Sequence, residues 1–322
     1  MKKLLGSILF GTIAATSFAQ MAIADTYPDR PIRMIVPYPP GSGTDTVARY
    51  AAKRLEEKLS QTVVVENKPG ANAIIASQAV IQSKPDGYTL LWAANGPVTT
   101  NVAMHKKLPY DPLTDLVPVA RVALSPMGFY VPANSPYKSA DALLNAAKKA
   151  PMKLNAGSGS ATYNIATEWL LSLADAKAEI VNYGGSAPTI AALAGGQTDF
   201  TIVEYSAALS LVQSDKIRLL AMTTDKRFHA QPDTPTLQEL GYKDFFQVAW
   251  WGIFAPANTP KDIVSKLEKT SLEICNDQET KTWLEQRNFS QFCGSAKELR
   301  QFQEAEIERE SRLVKQFNIP QL

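Results

Sequence analysis

Ile32-Arg33-Met34-Ile35-Val36-Pro37-Tyr38-Pro39-Pro40-Gly41-Ser42-Gly43-Thr44-Asp45 begins as a β-branched run and ends as a glycine-rich loop. Ile32 to Val36 predicts a strand, and Val47, Ala51, Leu55 and Leu59, each four residues on, predict one face of the helix that follows. Val63 to Val65 and Thr89 to Trp92 predict the next strands, with a small-residue helix from Ala73 to Gln82 between them. That order, strand-helix-strand-helix-strand, belongs to a mostly parallel sheet with helices on its faces.

The pattern restarts in the middle of the chain. Leu154 to Ala156, Ile180 to Asn182, Thr198 to Val203 and Ile217 to Met222 predict strands. Ile165, Trp169 and Leu173 mark one helix between them, and Ala187 to Ala194 another, stopped by Gly195-Gly196. Near the end, Thr259-Pro260-Lys261-Asp262 predicts a helix start with Thr259 as N-cap and proline in the first helical position. Ser295-Ala296-Lys297-Glu298 has the form of a capping box. Two helices without a strand of their own are expected to pack on the first sheet. Two segments, near Val117 to Val131 and Phe245 to Ala255, then cross between lobes. The expected fold is α/β and two-lobed, with residues 25–125 and 249–322 in one lobe, 126–248 in the other, and a cleft between.

Composition narrows the function. The 322 residues are 45% hydrophobic and 20% charged, which suits a globular chain with ample core. Lys+Arg number 33 against 31 Asp+Glu, and the excess corresponds to Lys2 and Lys3. Without them the chain is formally neutral, which argues against nucleic acid. Two histidines, His105 and His229, and two cysteines, Cys275 and Cys293, exclude most metal sites, and no cofactor is expected. Residues 1–24 read as a secretory signal peptide: Lys2 and Lys3, an apolar run from Leu4 to Phe18, and Ala22-Ile23-Ala24 before a cleavage ahead of Asp25. Gly6, Ser7, Gly11, Thr12, Thr16 and Ser17 interrupt that run and argue against a spanning helix. In an oxidising compartment Cys275 and Cys293 either close a disulfide or stand as two buried thiols, and the spacing leaves both open.

Two loops carry the chemistry. Pro37 to Asp45 joins the first strand to its helix, and Ala156-Gly157-Ser158-Gly159-Ser160-Ala161-Thr162 does so in the middle unit. Glycines let a ligand approach the backbone, and a helix start offers unpaired N–H groups to an anion. Neither loop contains Lys or Arg, so the expected anion is a carboxylate held by amides and hydroxyls. Neither completes a nucleotide-binding glycine motif, and no G-x-S-x-G elbow occurs. His105 and His229 sit in polar connections and make poor general bases. Glu204, just past a predicted strand, faces the cleft either as a capping carboxylate or as a ligand contact. Tyr38, Trp92, Tyr163, Tyr183, Tyr205 and Trp250-Trp251 each suit core or hinge packing, and together would suit a flat organic body.

Many ordered segments carry a resemblance. They are Tyr27-Pro28-Asp29-Arg30-Pro31-Ile32, Pro39 to Asp45, Val65-Glu66-Asn67-Lys68-Pro69-Gly70-Ala71, Pro85-Asp86-Gly87-Tyr88-Thr89-Leu90-Leu91 and Leu108-Pro109-Tyr110-Asp111. Tyr183-Gly184-Gly185, Gly195-Gly196-Gln197 and Trp251-Gly252-Ile253-Phe254-Ala255-Pro256 continue the series. Over essentially its whole length past residue 24, the chain resembles the Bug-type solute-binding receptors of tripartite tricarboxylate transporters. The resemblance implies a periplasmic binding-protein fold of the type II-like kind that closes on a small organic acid, without catalysis. It implies ligand contacts at Tyr38, Pro39, Pro40, Gly41, Ser42, Gly43, Thr44 and Asp45; at Gly70, Ala71 and Asn72; and at Ala94 and Asn95. In the other lobe it implies Gly157, Ser158, Gly159, Ser160, Thr162, Asn164, Tyr183 and Glu204. Three departures stand out: Ser42-Gly43 replaces the usual Gly-Gly, Tyr163 or Asn164 falls where a histidine is common, and Glu204 replaces a more usual Asp.

The expected function is that of an exported, monomeric receptor that delivers a carboxylate to membrane permease subunits. One uncharged anion loop per lobe favours a dicarboxylate, with aromatic diacids such as terephthalate in scope. The rival readings are an exported enzyme using Glu204 as base and a sensory module for a membrane kinase.

Overall fold

The computed structural model describes residues 27–322. The expected signal peptide and its cleavage point lie outside them. Among the described residues, no helix is long and apolar enough to cross a membrane.

The first half follows the alternation that the opening stretch predicts: β1 (Ile32–Val36), α1 (Gly43–Leu59), β2 (Val63–Asn67), α2 (Ile74–Ile81) and β3 (Thr89–Ala94). β1 lies parallel to β2 on one side and to β3 on the other. A π-type turn at Gly96–Thr100 leads through the short α3 (Asn101–Met104) to β4 (Leu116–Pro132). The middle unit holds α4 (Ala140–Lys149), β5 (Asn155–Ser158), α5 (Ala161–Leu173), β6 (Glu179–Asn182), α6 (Ser186–Ala194), β7 (Phe200–Glu204), α7 (Tyr205–Gln213) and β8 (Ile217–Met222). The chain returns along β9 (Val248–Pro256) and finishes as α8 (Lys261–Cys275), α9 (Gln278–Glu285), β10 (Ser290–Ser295) and α10 (Ala296–Gln316).

The ten strands run in the order β2-β1-β3-β9-β4-β7-β5-β6, with β8 and β10 also paired to β4. β4 joins the two lobes. Its first part pairs antiparallel with β9, from Leu116 opposite Pro256 to Pro126 opposite Val248. From Met127, opposite Glu204, it pairs with β7 instead. The two predicted crossings are therefore β4 and β9, hydrogen-bonded to each other.

Every residue of β9 is buried, as a central strand covered on both faces requires. Its side chains alternate between the faces. Trp251, Ile253 and Ala255 join Val47, Ala51 and Leu55 of α1 and Ile263 and Leu267 of α8. Trp250 and Phe254 join Ile35, Leu91 and Leu299 on the opposite face. A separate core fills the second lobe around Phe129, Ile165, Leu170, Ile190, Phe200 and Ile202. Leu313 and Val314, late in α10, belong to that second core, whereas Leu299 belongs to the first lobe. At about 1.5 Å per residue, the 21 residues of α10 span about 30 Å and reach from one lobe to the other.

The end of the chain departs from expectation. It holds three helices and a strand of its own, not two helices alone. β10 contains no β-branched residue, so its sequence does not advertise a strand; antiparallel pairing with β4 makes it one. Cys293 in β10 is bonded to Cys275 at the end of α8, with Cα atoms 5.8 Å apart. The N-cap of α8 is Pro260, because the Thr259 hydroxyl instead donates 2.8 Å to the Pro256 carbonyl. The Ser295–Glu298 capping box forms as predicted.

Candidate functional site

Parallel strands bring their carboxyl ends, and the loops that follow them, to one side of the sheet. Here Pro37, Tyr38 and Gly70 to Ala73 of the first lobe face Gly159, Asn182 and Gly184 of the second across a cavity of about 290 Å³. An inner pocket of about 20 Å³ shares Tyr38 and is lined by Thr44, Ala94, Asn95, Ser160, Thr162, Tyr163, Ala249 and Trp251. That volume holds about one water molecule. The lobes are closed on each other. A methyl group at Gly185 would stand 2.9 Å from Pro39 Cδ, and the Thr100 and Thr162 hydroxyls lie 3.1 Å apart.

The first loop is satisfied by the protein itself. Ser42 Oγ accepts from the Asp45 N–H at 3.2 Å, and Asp45 Oδ2 accepts from the Gly41 N–H at 3.0 Å. Asp45 also accepts from Asn67 at 2.8 Å and pairs with Arg49 at 3.0 Å. Burial pushes its pKa up, but the bonds from Arg49, Gly41 and Asn67 outweigh this and hold it below the usual carboxylate range. Thr44 Oγ1 accepts from the Trp251 indole at 2.8 Å. Pro40 and Gly41 are exposed.

Glu204 completes this loop from the opposite lobe. It ends β7, is 1% exposed, and accepts a hydrogen bond from the Tyr163 hydroxyl. Gly43 lies against it, a Cβ there standing 2.8 Å from Glu204 Oε1, and the polar groups of Ser186 and Gly43 help to stabilise its charge. Burial raises its pKa, and these donors oppose the rise. Burial likewise pushes the Tyr163 hydroxyl well up, and the Glu204 charge adds to it, so tyrosine is the donor of that bond.

The second loop differs. Ser160 is the N-cap of α5, and no side chain caps the first-turn amides of this helix. Ser158 is buried and its hydroxyl donates 3.2 Å to the Ser160 carbonyl. A Cβ at Gly159 would stand 2.4 Å from the Gly185 carbonyl, so only glycine lets this loop approach the start of α6. Gly157 lies within β5, where its carbonyl accepts from Thr201, and it lines neither cavity. Asn164 is buried in α5 and Tyr183 half-buried after β6, and both lie outside the lining of these two cavities.

Gly70, Ala71, Asn72 and Ala73 all have positive φ, at 127°, 46°, 52° and 72°. Three consecutive non-glycine residues in this region store strain of roughly 1–3 kcal/mol each, of the kind that gathers at binding sites. Asn101 donates 2.8 Å to the Asn72 carbonyl and braces the segment. Asn95 serves β9 with its side chain, donating 3.0 Å to the Val248 carbonyl and accepting 3.0 Å from the Trp250 N–H. Of the aromatic candidates, Tyr38, Tyr163 and Trp251 line the inner pocket; Trp92, Tyr205 and Trp250 are core. Ala73, Asn182 and Ser186 escape a reading by motif, although each borders a segment that the resemblance picks out.

The family model described as "Tripartite tricarboxylate transporter family receptor" matches residues 47–319. The chain is 36% identical over 262 residues to protein BugT of Bordetella pertussis, covering 80% of each. It is 31% identical to the R. palustris protein Rpa4515, solved with adipate, at a TM-score of 0.88, covering 92% of this chain and 100% of the other. MatC from Rhodopseudomonas palustris, solved with malate, is 27% identical at a TM-score of 0.85, covering 89% and 100%. The two-lobed periplasmic binding-protein architecture expected from the sequence is the fold these structures share with the chain.

Proposed function

The chain belongs to the tripartite tricarboxylate transporter receptor family, and from that premise we propose that it is a periplasmic receptor that captures a small organic carboxylate. It hands the solute to the membrane permease subunits of a tripartite transporter and acts as a monomer. The observation that carries this reading is the start of α5. Its first-turn amides have no side-chain cap, and Gly159 beside them opens onto the cavity of about 290 Å³. A helix N-terminus of this kind attracts a carboxylate. The volume lies at the lower end of ligand pockets and suits a small acid. Adipate and malate in the related structures are acids of that size.

Capture proceeds by hinge closure. β4 exchanges β9 for β7 between Pro126 and Met127. This supports a hinge there, with residues 25–125 and 249–322 moving against 126–248. Contacts to both lobes then favour the closed state. Glu204 is 1% exposed, is bonded to Tyr163 and lines neither cavity, which speaks against a base at that position.

A thermal-shift screen of ligand-free protein starting at Asp25 tests the reading. A bound acid at 100 times its Kd adds about 2.7 kcal/mol. The expected result is a selective rise in Tm with small carboxylates and none with their amides. No rise with any acid would refute the assignment.

A further inference from the structure

We infer that Glu310, which lines neither cavity, decides through Thr100 and Thr162 whether the inner pocket offers the solute a hydrogen-bond donor or only an acceptor. This rests on the receptor reading and adds a positioning residue and a pH dependence to the same site.

Three buried oxygens stand in line. Glu310 Oε1 lies 3.0 Å from Thr100 Oγ1, which lies 3.1 Å from Thr162 Oγ1. Glu310 and Thr100 are fully buried, and Thr162 is 4% exposed. Thr162 lines the inner pocket of about 20 Å³, where one solute oxygen or one water fits beside the larger cavity. A hydroxyl has a single hydrogen to give. With Glu310 ionised, Thr100 gives its hydrogen to the carboxylate. Thr162 must then give its own to Thr100, and turns only lone pairs to the pocket.

A protonated Glu310 reverses the line. Its Oε2 has no partner among the described residues, and a buried donor without an acceptor is costlier than an oxygen without a donor. The proton therefore sits on Oε1 and points at Thr100. Thr100 donates to Thr162, and the Thr162 hydrogen is free for the pocket. A carboxylate or carbonyl oxygen of the solute, met directly or through one water, finds a donor in this state and an acceptor in the other.

The charged groups acting on Glu310 belong to its own helix. Burial and the neighbouring Glu306 push its pKa up to about 8, against the opposing pull of Arg309. Arg309 Nη2 lies 3.8 Å from Glu310 Oε1 and is itself engaged by Glu306 at 2.9 Å. On the elements packed against α10, the other titratable groups are Arg121 and Tyr130 of β4, His105 after α3, and Tyr163 and Glu168 of α5. Burial lowers the pKa of His105, and Tyr163 is bonded to Glu204. Affinity for an acid thus falls as pH rises through the titration of Glu310.

Calorimetric titration of ligand-free protein with adipate, malate, succinate and terephthalate, at about pH 6.5 and about pH 9.5, tests this. The expected result is that the tightest-bound acid loses about tenfold in affinity between the two. Thr100→Ser, which keeps the hydroxyl, retains that loss. Glu310→Gln, whose amide donates at every pH, binds at pH 9.5 as the unchanged protein does at 6.5. Thr100→Val cuts the line but leaves Glu310 to titrate, and its affinity is the same at both pH values. Thr162→Val cuts the line at its other joint, with the same flat profile, and keeps the test open where Thr100→Val does not fold. A loss that persists in the valine variants would mean that the charge of Glu310 acts through space; that result, or a flat profile in the unchanged protein, overturns the inference and leaves the receptor reading standing. Failure of every acid to bind the unchanged protein at either pH overturns the receptor reading and the inference with it.

Discussion

Gly43 lies so close to Glu204 that a methyl group at position 43 would stand 2.8 Å from Glu204 Oε1 and 3.3 Å from its Cγ. One residue opens α1 in the first lobe and the other ends β7 in the second. The missing side chain at 43 is therefore what lets the lobes meet. Local helix physics does not require glycine there, since alanine is the better helix former.

Gly43→Ala should consequently leave the first lobe folded and oppose closure. Solute affinity should fall about tenfold or more, a loss of at least about 1.4 kcal/mol, with Tm nearly unchanged. Titration of the variant beside a thermal melt checks this. Wild-type affinity would break the link between this contact and capture.

Asn95→Ala should act on stability first. Its amide holds both the Val248 carbonyl and the Trp250 N–H at 3.0 Å, and the residue is 1% exposed. Truncation leaves two buried backbone groups unpaired, at roughly 1–3 kcal/mol each. Denaturant unfolding should show a loss of about 3 kcal/mol, and an unchanged midpoint would mean that β9 does not depend on this side chain.

Asn95 also shows where sequence reading stops. The strand-helix alternation that starts at Ile32 to Val36 is enough to read a mostly parallel sheet, because apolar period and turn residues are local properties. Which way Asn95 or Glu204 spends its polar atoms depends on strands far away in sequence, and no local pattern records that. β10 was missed for the same reason, since β4 and not its own residues makes it a strand. Asn182 and Ala73 enter the cavity only because the lobes close on them.

Gly70→Ala should disturb the outer wall. Gly70 has φ of 127°, and a Cβ there would meet Ile75 Cδ1 at 2.6 Å. The added strain is roughly 1–3 kcal/mol, and it falls on a segment that lines the cavity. A lowered unfolding midpoint together with weaker solute binding is expected. A loss of stability with affinity intact would separate the left-handed segment from recognition.

Replacing both Cys275 and Cys293 by serine should cost about 3 kcal/mol on the loop-entropy account. The bond ties α8 to β10 and lines no part of the cavity. Affinity at a temperature where the variant stays folded should match the wild type within a factor of about two. A large loss of affinity would show that this fastening also shapes the cleft.

Glu310 gives the pH dependence a defined sign. It lies fully buried in α10, where Thr100 Oγ1 donates to its Oε1 at 3.0 Å and Thr100 in turn meets Thr162 of the α5 loop. Its second oxygen has no partner. Burial pushes its pKa up to about 8; the nearby Glu306 adds to the rise, while Arg309 and the Thr100 and Thr99 hydroxyls oppose it. In the unfolded chain a glutamate ionises near about 4.3. Between those values the folded protein holds a proton that the unfolded chain has released, so stability must fall as pH rises through this window and level off above it. Glu310→Gln keeps a neutral amide in place of the acid and should abolish that fall. Unfolding midpoints of the two proteins should lie close together at pH 5 and separate steadily towards pH 8 and 9, the variant ending more stable by an amount of order a few kcal/mol. Midpoints that run parallel across this range would mean that Glu310 does not hold its proton in the folded state.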